Sequence, residues 1–274
     1  MNIDFIILAA GKGTRMGGDS PKVLANLAGK PMIQHLIDTI DSFPKSSTSI
    51  IVGHKAKEVE TGISSSKKIN FIHQKKQLGT AHAVKQALPY LKKNSISLIL
   101  YGDAPLVEKT TLKKLINSAA KGNLSLLTFI KDDPTGYGRI IRGSKSSVQK
   151  ITEHKDANNQ ERQIKEVNSG IMAVKSDLLQ KLLPAIKNQN AAKEYYLTDL
   201  VEIANTSSIK VGATICDAYE VGGANDRQEL HDLERALQKK IASTLLAKGV
   251  TVADTARLDI RGDTKIGQGS FVDI

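Results

Sequence analysis

Two short stretches of this chain carry residue types that can handle phosphate. The first is Leu8-Ala9-Ala10-Gly11-Lys12-Gly13-Thr14-Arg15-Met16, followed by Pro21-Lys22. Glycines let backbone N–H groups approach phosphate oxygens, and Arg15 and Lys22 add positive charge. The loop lacks the G-K-[ST] ending of a Walker A motif, which disfavours a P-loop ATPase. Nor does it read G-x-G-x-x-G. The residues after Ile51-Val52 are Gly53-His54-Lys55, without the acidic residue a dinucleotide site needs.

The second stretch is Leu100-Tyr101-Gly102-Asp103-Ala104-Pro105. An aspartate at the C-terminal end of a buried strand lies where open α/β sheets bind ligands. Its carboxylate, joined by phosphate oxygens, suits a hard cation such as Mg²⁺. A weaker signal is Gln74-Lys75-Lys76-Gln77-Leu78-Gly79-Thr80, which opens a helix. A glutamine amide both donates and accepts, as the edge of a pyrimidine base demands, although exposed glutamines usually do nothing specific.

Something must position these residues, and the pattern of the first half supplies it. Ile3 to Ala10, Ile50 to Gly53, Ile69 to Gln74, Ile96 to Tyr101 and Leu124 to Ile130 read as strands. Helices are predicted from Met32, Ile33, Leu36, Ile37 and Ile40 after Pro31, over Ala81 to Leu91, and around Thr110 to Ala120. The alternation predicts an α/β fold, a Rossmann-like mixed and mostly parallel sheet with helices on both faces. Gly138 to Arg142, Val148 to Thr152 and Gly170 to Val174 suit an antiparallel extension over the ligand-binding edge. Leu178 to Leu183 and Leu197 to Ala204 read as helices, and Ile209 to Ile215 as a strand.

The predicted divisions are an α/β unit over 1–225, a long helix over 226–249, and the start of a parallel β-helix over 250–274. Asp226 and Glu229 have capping-box spacing, and Leu230, Leu233, Leu237, Ile241 and Leu245 form the long helix's apolar stripe. Ile260, Ile266 and Val272 recur every six residues, the period of a parallel β-helix. So short a remnant should pack on the preceding helix or fray.

The formal net charge is +11 over 274 residues, but the lysines are scattered and aromatic residues total only 4%. The expectation is a solvated surface and no nucleic-acid partner. Cys216 is the single cysteine, which excludes an intrachain disulfide framework. Met1-Asn2-Ile3-Asp4 supplies no basic leader region, and no segment is apolar enough to span a membrane. A cytoplasmic location and no membrane partner are expected.

In order along the chain, the motifs resemble the uridyltransferase half of the bacterial bifunctional N-acetylglucosamine-1-phosphate uridyltransferase/glucosamine-1-phosphate acetyltransferase family. The resemblance rests on Leu8 to Met16, Pro21-Lys22, Gln77 to Thr80, Tyr101-Gly102-Asp103, Gly136-Tyr137-Gly138-Arg139-Ile140, Glu153-His154-Lys155-Asp156, Asn168-Ser169-Gly170, Glu194 to Asp199 and Asn225-Asp226-Arg227. The glycine loop alone marks the wider sugar nucleotidyltransferase superfamily; the later segments point to this member.

The resemblance implies Mg²⁺-dependent uridylyl transfer from UTP to N-acetylglucosamine 1-phosphate, for cell-envelope precursors. It implies that Ala10, Gly11, Gln74, Gly79 and Thr80 recognise uridine, within a site that includes Leu8, Gly13 and Tyr101. Gly138, Glu153 and Asn168 would hold the sugar, Asp103 and Asn225 the Mg²⁺, and Arg15 and Lys22 the triphosphate and departing pyrophosphate. Taken singly, Asn168 and Asn225 also fit as turn formers, and Glu153 as a solvated charge. Such a reaction needs no protein nucleophile, so His35, His54, His73, His82, His154 and His231 are read as structural or surface residues.

Two positions depart from the family: Gly222 where a glutamate is expected, which would loosen the loop before Asn225, and Ala81 where glycine is common. By the same resemblance, 1–225 is a nucleotidyltransferase domain, 226–249 a linker helix and 250–274 the start of a truncated left-handed parallel β-helix, so acetyltransferase activity should be absent and the chain a monomer or weak dimer. Open alternatives are a related enzyme for another sugar 1-phosphate and an inactive nucleotide-sugar-binding homologue.

Overall fold

The apolar run near the N-terminus forms strand β1 (Asn2–Ala9), whose two faces are both buried because helices cover each side of its sheet. The computed structural model describes residues 1–11, 13, 16, 17, 19–143 and 147–273. After β1 come β2 (Asn26–Leu27), β3 (Lys30–Pro31), α1 (Met32–Asp41), β4 (Ser46–Val52), α2 (Ala56–Thr61), β5 (Ile69–His73), α3 (Thr80–Ala87), β6 (Ser95–Tyr101), α4 (Lys109–Ala120) and β7 (Leu124–Ile130). The second half adds β8 (Arg139–Arg142), β9 (Val148–Thr152), α5 (Asn159–Arg162), β10 (Glu166–Lys175), α6 (Ser176–Leu182), α7 (Leu200–Thr206), β11 (Val211–Ile215), α8 (Ala218–Val221), α9 (Arg227–Ala247), β12 (Thr251–Val252) and β13 (Phe271–Val272).

The main sheet has the order β11-β7-β10-β6-β1-β4-β5. β1 pairs in parallel with both β4 and β6, so Ile7 lies between Ile50 and Leu100. One face packs Phe5, Ile7, Val52 and Leu98 against α1 and α4 through Ile33, Leu36, Ile37, Leu112 and Leu115. The other packs Ile6, Ile51 and Ile99 against α3, α6 and α7 through Val84, Leu179, Leu182 and Leu200. This is the mixed, mostly parallel sheet with helices on both faces that the sequence predicts. The chain runs β1, β4, β5 outward on one side and then returns to place β6 on the other. The C-terminal ends of β1 and β6 therefore flank a topological switch point, where such sheets open a crevice.

Three elements differ from the sequence reading. Gly170 to Val174 is not part of a separate extension; it belongs to β10, which lies inside the main sheet antiparallel to β6 and β7. It is fit for that place because Ile171 and Ala173 enter one core and Met172 and Val174 the other. β8 and β9 do form an antiparallel pair, joined to β10 at Arg139↔Val167. β4 begins four residues before its apolar run, at Ser46. Its polar start is tolerated because Ser47 donates to the carboxylate of Asp4, which is only 2% exposed. The α3 region ends at Ala87 and tightens into a 3₁₀ turn over Leu88–Tyr90, where Pro89 removes a donor.

Helix α9 is capped by Asp226, whose side chain accepts from Glu229 N–H at 2.8 Å. Glu229 in turn accepts from Asn225 N–H at 2.6 Å, one residue earlier than in the usual reciprocal box. The buried side of α9 includes Gln238 beside Leu233, Ala242 and Leu245. The Gln238 amide bonds both the N–H and the carbonyl of Ile260, each at 2.8 Å, and so fastens the following segment to the helix. That segment packs rather than frays. Leu258, Ile260, Ile266 and Val272 cluster with Ala242 and Leu245, and β12 and β13 close it with a parallel pair. It also meets the β2–β3 hairpin: Gly262 N–H donates to Ala28 carbonyl at 2.8 Å, and Lys30 pairs with Asp263 at 2.8 Å.

Removal of one good N-cap costs about 1 kcal/mol. Asp226→Ala should lower unfolding stability by about that amount, read from the urea midpoint with an unchanged slope. An unaltered midpoint would show that Glu229 alone holds the start of α9.

Candidate active site

The crevice at the switch point is a cleft of about 370 Å³ lined by Leu8, Ala10, Gly11, Lys22, Gln74, Gln77, Gly79, Thr80, Tyr101 and Asp103, among others. Nine of the residues expected in the site are thus brought to one place by the ends of β1 and β6 and the start of α3. Gly13 lies against Lys22 with φ of +60°, and a Cβ there would sit 2.5 Å from Lys22 Cβ, so only glycine fits. Arg15 lies outside the described residues.

Lys22 is placed by a short 3₁₀ turn, Lys22–Leu24, after Pro21. Its ammonium donates to the Asp103 carboxylate and, at 2.9 Å, to Asn225 Oδ1. The end of β6 and the residues before α9 thus meet on one cation. Gly222, in the same approach to Asn225, has φ of −58°, an ordinary value. A Cβ on it would meet Leu233 Cδ1 at 3.4 Å and the carbonyl oxygens of Ala218 and Tyr219 at 3.6 and 3.7 Å, ordinary contacts, so the backbone here does not require glycine.

The opposite wall is built from the turn before α3. Gly79 has φ of +113°, and a Cβ would fall 2.5 Å from Tyr195 carbonyl oxygen. That closeness lets residues 194–197 lie along the turn. Tyr195 N–H donates to Leu78 carbonyl and Ala81 N–H to Tyr195 carbonyl, each at 2.9 Å, and Leu197 N–H donates to Thr80 Oγ1 at 3.0 Å. Gln77 Nε2 donates to Ala10 carbonyl and ties this wall to the end of β1. Gln74, 6% exposed, donates from Nε2 to Gly79 carbonyl at 3.4 Å and lies 2.9 Å from His82 Nδ1.

Gly138, Glu153 and Asn168 form a second group farther along the same edge. Asn168 N–H donates to Gly138 carbonyl at 2.9 Å, and a Cβ on Gly138 would come 3.5 Å from the Glu153 carboxylate. Asn168 Oδ1 also accepts from Gly170 N–H at 3.0 Å, so its side chain does serve a turn, with the amide nitrogen left for other partners. Tyr101 joins the groups: Gly170 packs on its ring, and it lines the cleft together with Thr80. Burial pushes the Tyr101 phenol far above its ordinary range, so it stays neutral. Burial also raises the Glu153 carboxyl, against the opposing hydrogen bond from Thr198 Oγ1 at 3.0 Å.

A glycine loop that closes on a lysine opposite a strand-end aspartate, with amide side chains on the far wall, is the arrangement of a nucleotidyltransferase rather than of a P-loop ATPase or a dinucleotide-binding dehydrogenase. In keeping with this, the MobA-like NTP transferase domain matches residues 5–168, more than half of the chain, which belongs to that family. The chain is 46% identical over 275 residues to the bifunctional protein GlmU of Idiomarina loihiensis, covering all of this chain and 60% of that protein. The protein of the same name from Francisella tularensis subsp. novicida is 42% identical over the same coverage. The chain therefore spans about 60% of the length of these curated relatives.

Among solved structures, UDP-glucose pyrophosphorylase complexed with UDP-glucose superposes with a TM-score of 0.70 at 16% identity, over 88% of this chain and all of that one. The inositol-1-phosphate CTP transferase of T. maritima gives 0.64 at 14%, over 85% and 96%. At these identities the likeness is one of fold. Among the described residues no helix is long and apolar enough to cross a membrane.

Reading the sequence residue by residue missed Gln77, His82 and Thr198 as members of the site. Gln77 and Thr198 stand inside the motifs that carry the family resemblance, and that position is the signal that could have found them.

Beside Glu153 stands Asp199, its carboxyl pushed up to about 6 by burial and then by Glu202, Glu153 and Asp156. It makes no cap bond to α7 that would offset this. An acid with a raised folded-state pKa holds its proton more tightly when folded, so stability falls as pH rises from about 3.8 to about 6 and stays lower above that window. Asp199→Asn should therefore be more stable than the parent at pH 7, and the gap should close as the pH approaches 4, in thermal melts across that range. A gap that is constant with pH would remove burial of this carboxylate as the cause.

Proposed function

We propose that this chain transfers a uridylyl group from UTP to N-acetylglucosamine 1-phosphate, releasing pyrophosphate, with Mg²⁺ as its metal. The observation that carries the reading is the Lys22 ammonium held between Asp103 and Asn225 at the switch point. A carboxylate and an amide oxygen are hard donors that already gather around a positive charge, the chemistry Mg²⁺ asks of protein ligands when phosphate oxygens complete its shell. The donor set fits, and a metal bound there would neutralise phosphate charge.

The chain's own residues supply the rest by position. Gly11, Gly13 and the Lys22 ammonium are assigned to the phosphates, and Arg15 to the same task. Gln74 and Gly79 face the base. The Gly138–Glu153–Asn168 group fits the hydroxyl and acetamido groups of the acceptor sugar. The acceptor's phosphate oxygen attacks the α-phosphorus of UTP, and the bond to the pyrophosphate oxygen breaks in line. No side-chain nucleophile takes part, so catalysis is positioning plus charge neutralisation. The resemblance to the uridyltransferase family and the 46% identity to a GlmU protein support the choice of substrates.

Pyrophosphate release with a panel of triphosphates and sugar 1-phosphates tests the reading. UTP with N-acetylglucosamine 1-phosphate should give the highest kcat/KM, and chelation of Mg²⁺ should abolish it. Lys22→Met should slow turnover by roughly 10²–10³-fold, the range for one preorganised charge contact. Folded Asp103→Asn protein with near-normal turnover would overturn the metal assignment, and equal use of glucose 1-phosphate the sugar assignment.

A further inference from the structure

His82 touches Gln74 without lining the cleft, and the geometry of the pair has a chemical consequence. Both hydrogens of Gln74 Nε2 have partners, the carbonyl of Gly79 at 3.4 Å and His82 Nδ1 at 2.9 Å. The Gly79 carbonyl can only accept, so the amide nitrogen must face it, and His82 Nδ1 must then be the bare nitrogen of its ring. What the amide keeps for the cleft is Oε1, which no donor reaches among the described residues.

We propose that His82 is a positioning residue for base selection: through its bare Nδ1 it fixes the Gln74 amide so that an acceptor, not a donor, faces the base. This rests on reading the cleft as a uridine triphosphate site. Uracil presents an N–H at position 3, which Oε1 can accept. Cytosine presents a lone pair there, which Oε1 repels. A site whose buried polar group is left unpaired by the wrong ligand discriminates far better than one that relies on shape.

Two further contacts bear on the ring. Gln86 Nε2 lies 3.4 Å from His82 Nε2 and would prefer that nitrogen bare. A neutral imidazole has one bare nitrogen, and the 2.9 Å contact to buried Gln74 outweighs the 3.4 Å contact to the more exposed Gln86, which also donates to His82 carbonyl at 3.2 Å. Burial and then the Lys85 ammonium lower the His82 pKa, so the neutral ring persists at physiological pH.

The test uses the whole chain. ¹⁵N-edited NMR of the imidazole should find His82 with its proton on Nε2 and none on Nδ1. Kinetics then compare UTP with CTP, at saturating N-acetylglucosamine 1-phosphate. His82→Leu, which has no acceptor, should lower the UTP/CTP ratio of kcat/KM by about tenfold, the worth of one neutral hydrogen bond. The loss should appear in the KM for UTP more than in kcat. His82→Asn, whose Oδ1 can stand in for Nδ1, should restore much of the ratio. A role confined to packing would lower the use of both nucleotides alike and give no rescue.

A proton on Nδ1 in the parent, a reading that requires no variant to fold, would overturn the proposal. So would a UTP-specific parent whose ratio survives His82→Leu, while leaving the nucleotide assignment intact. A parent that prefers a different triphosphate would overturn both.

Discussion

The site depends on one ammonium group. Lys22 bridges Asp103 and Asn225, and those three residues come from the loop after β1, the end of β6 and the approach to α9. No two of them are near in sequence, so the bridge forms only when the sheet order, the 3₁₀ turn at Pro21 and the start of α9 are all correct. The surrounding structure serves this convergence. β1 lies between β4 and β6, Gly13 leaves room for the lysine stem, and Glu229 holds the Asn225 backbone. A carboxylate and an amide oxygen gathered at a half-buried point need electrostatic balance, and in the described structure the lysine provides it.

A second constraint lies across the cleft, where the turn before α3 is held by residues 194–197 through reciprocal backbone hydrogen bonds. The near wall is thus made by strand ends, and the far wall by two loops that brace each other. Gln77 and Tyr101 connect the walls. The far wall is accordingly set by main-chain bonding, and the near wall by the side-chain bridge on Lys22.

The legible parts of the sequence were those whose partners are implied by local pattern. A strand buried on both faces must be apolar throughout, so Ile3 to Ala10 and Ile96 to Tyr101 announce themselves, and a strand-end aspartate after such a run is readable. Strand β4 was legible only from Ile50, because Ser46 to Ser49 are polar and the partner of Ser47 is Asp4, in another strand. Strand β10 was half found and misplaced for a related reason: a strand antiparallel within a parallel sheet has the same composition as one in an added hairpin. Gln238 reads as a surface residue of α9, yet it is 2% exposed because its amide pairs with the Ile260 backbone 22 residues on. His82 reads as an incidental histidine since Gln74, its partner, belongs to the preceding turn rather than to its helix face. In each case the missing information was a hydrogen-bond partner outside the residue's own element.

The contact between Gly262 and Ala28 has a consequence for how the protein is made. Ribosomes deliver the N-terminus first, at about 5–20 residues per second, so the β2–β3 hairpin emerges on the order of ten seconds or more before the segment that bonds to it. Ala28 N–H likewise waits for Glu234, which accepts it at 2.7 Å, and Lys22 waits for Asn225. The nascent chain can therefore assemble its central strands early while the loop that bears the site lingers unfastened. Premature encounter with a highly charged nucleotide would meet a half-built cleft, and any co-translational quality control must tolerate an N-terminal region whose fastening waits until Gly262 has been made.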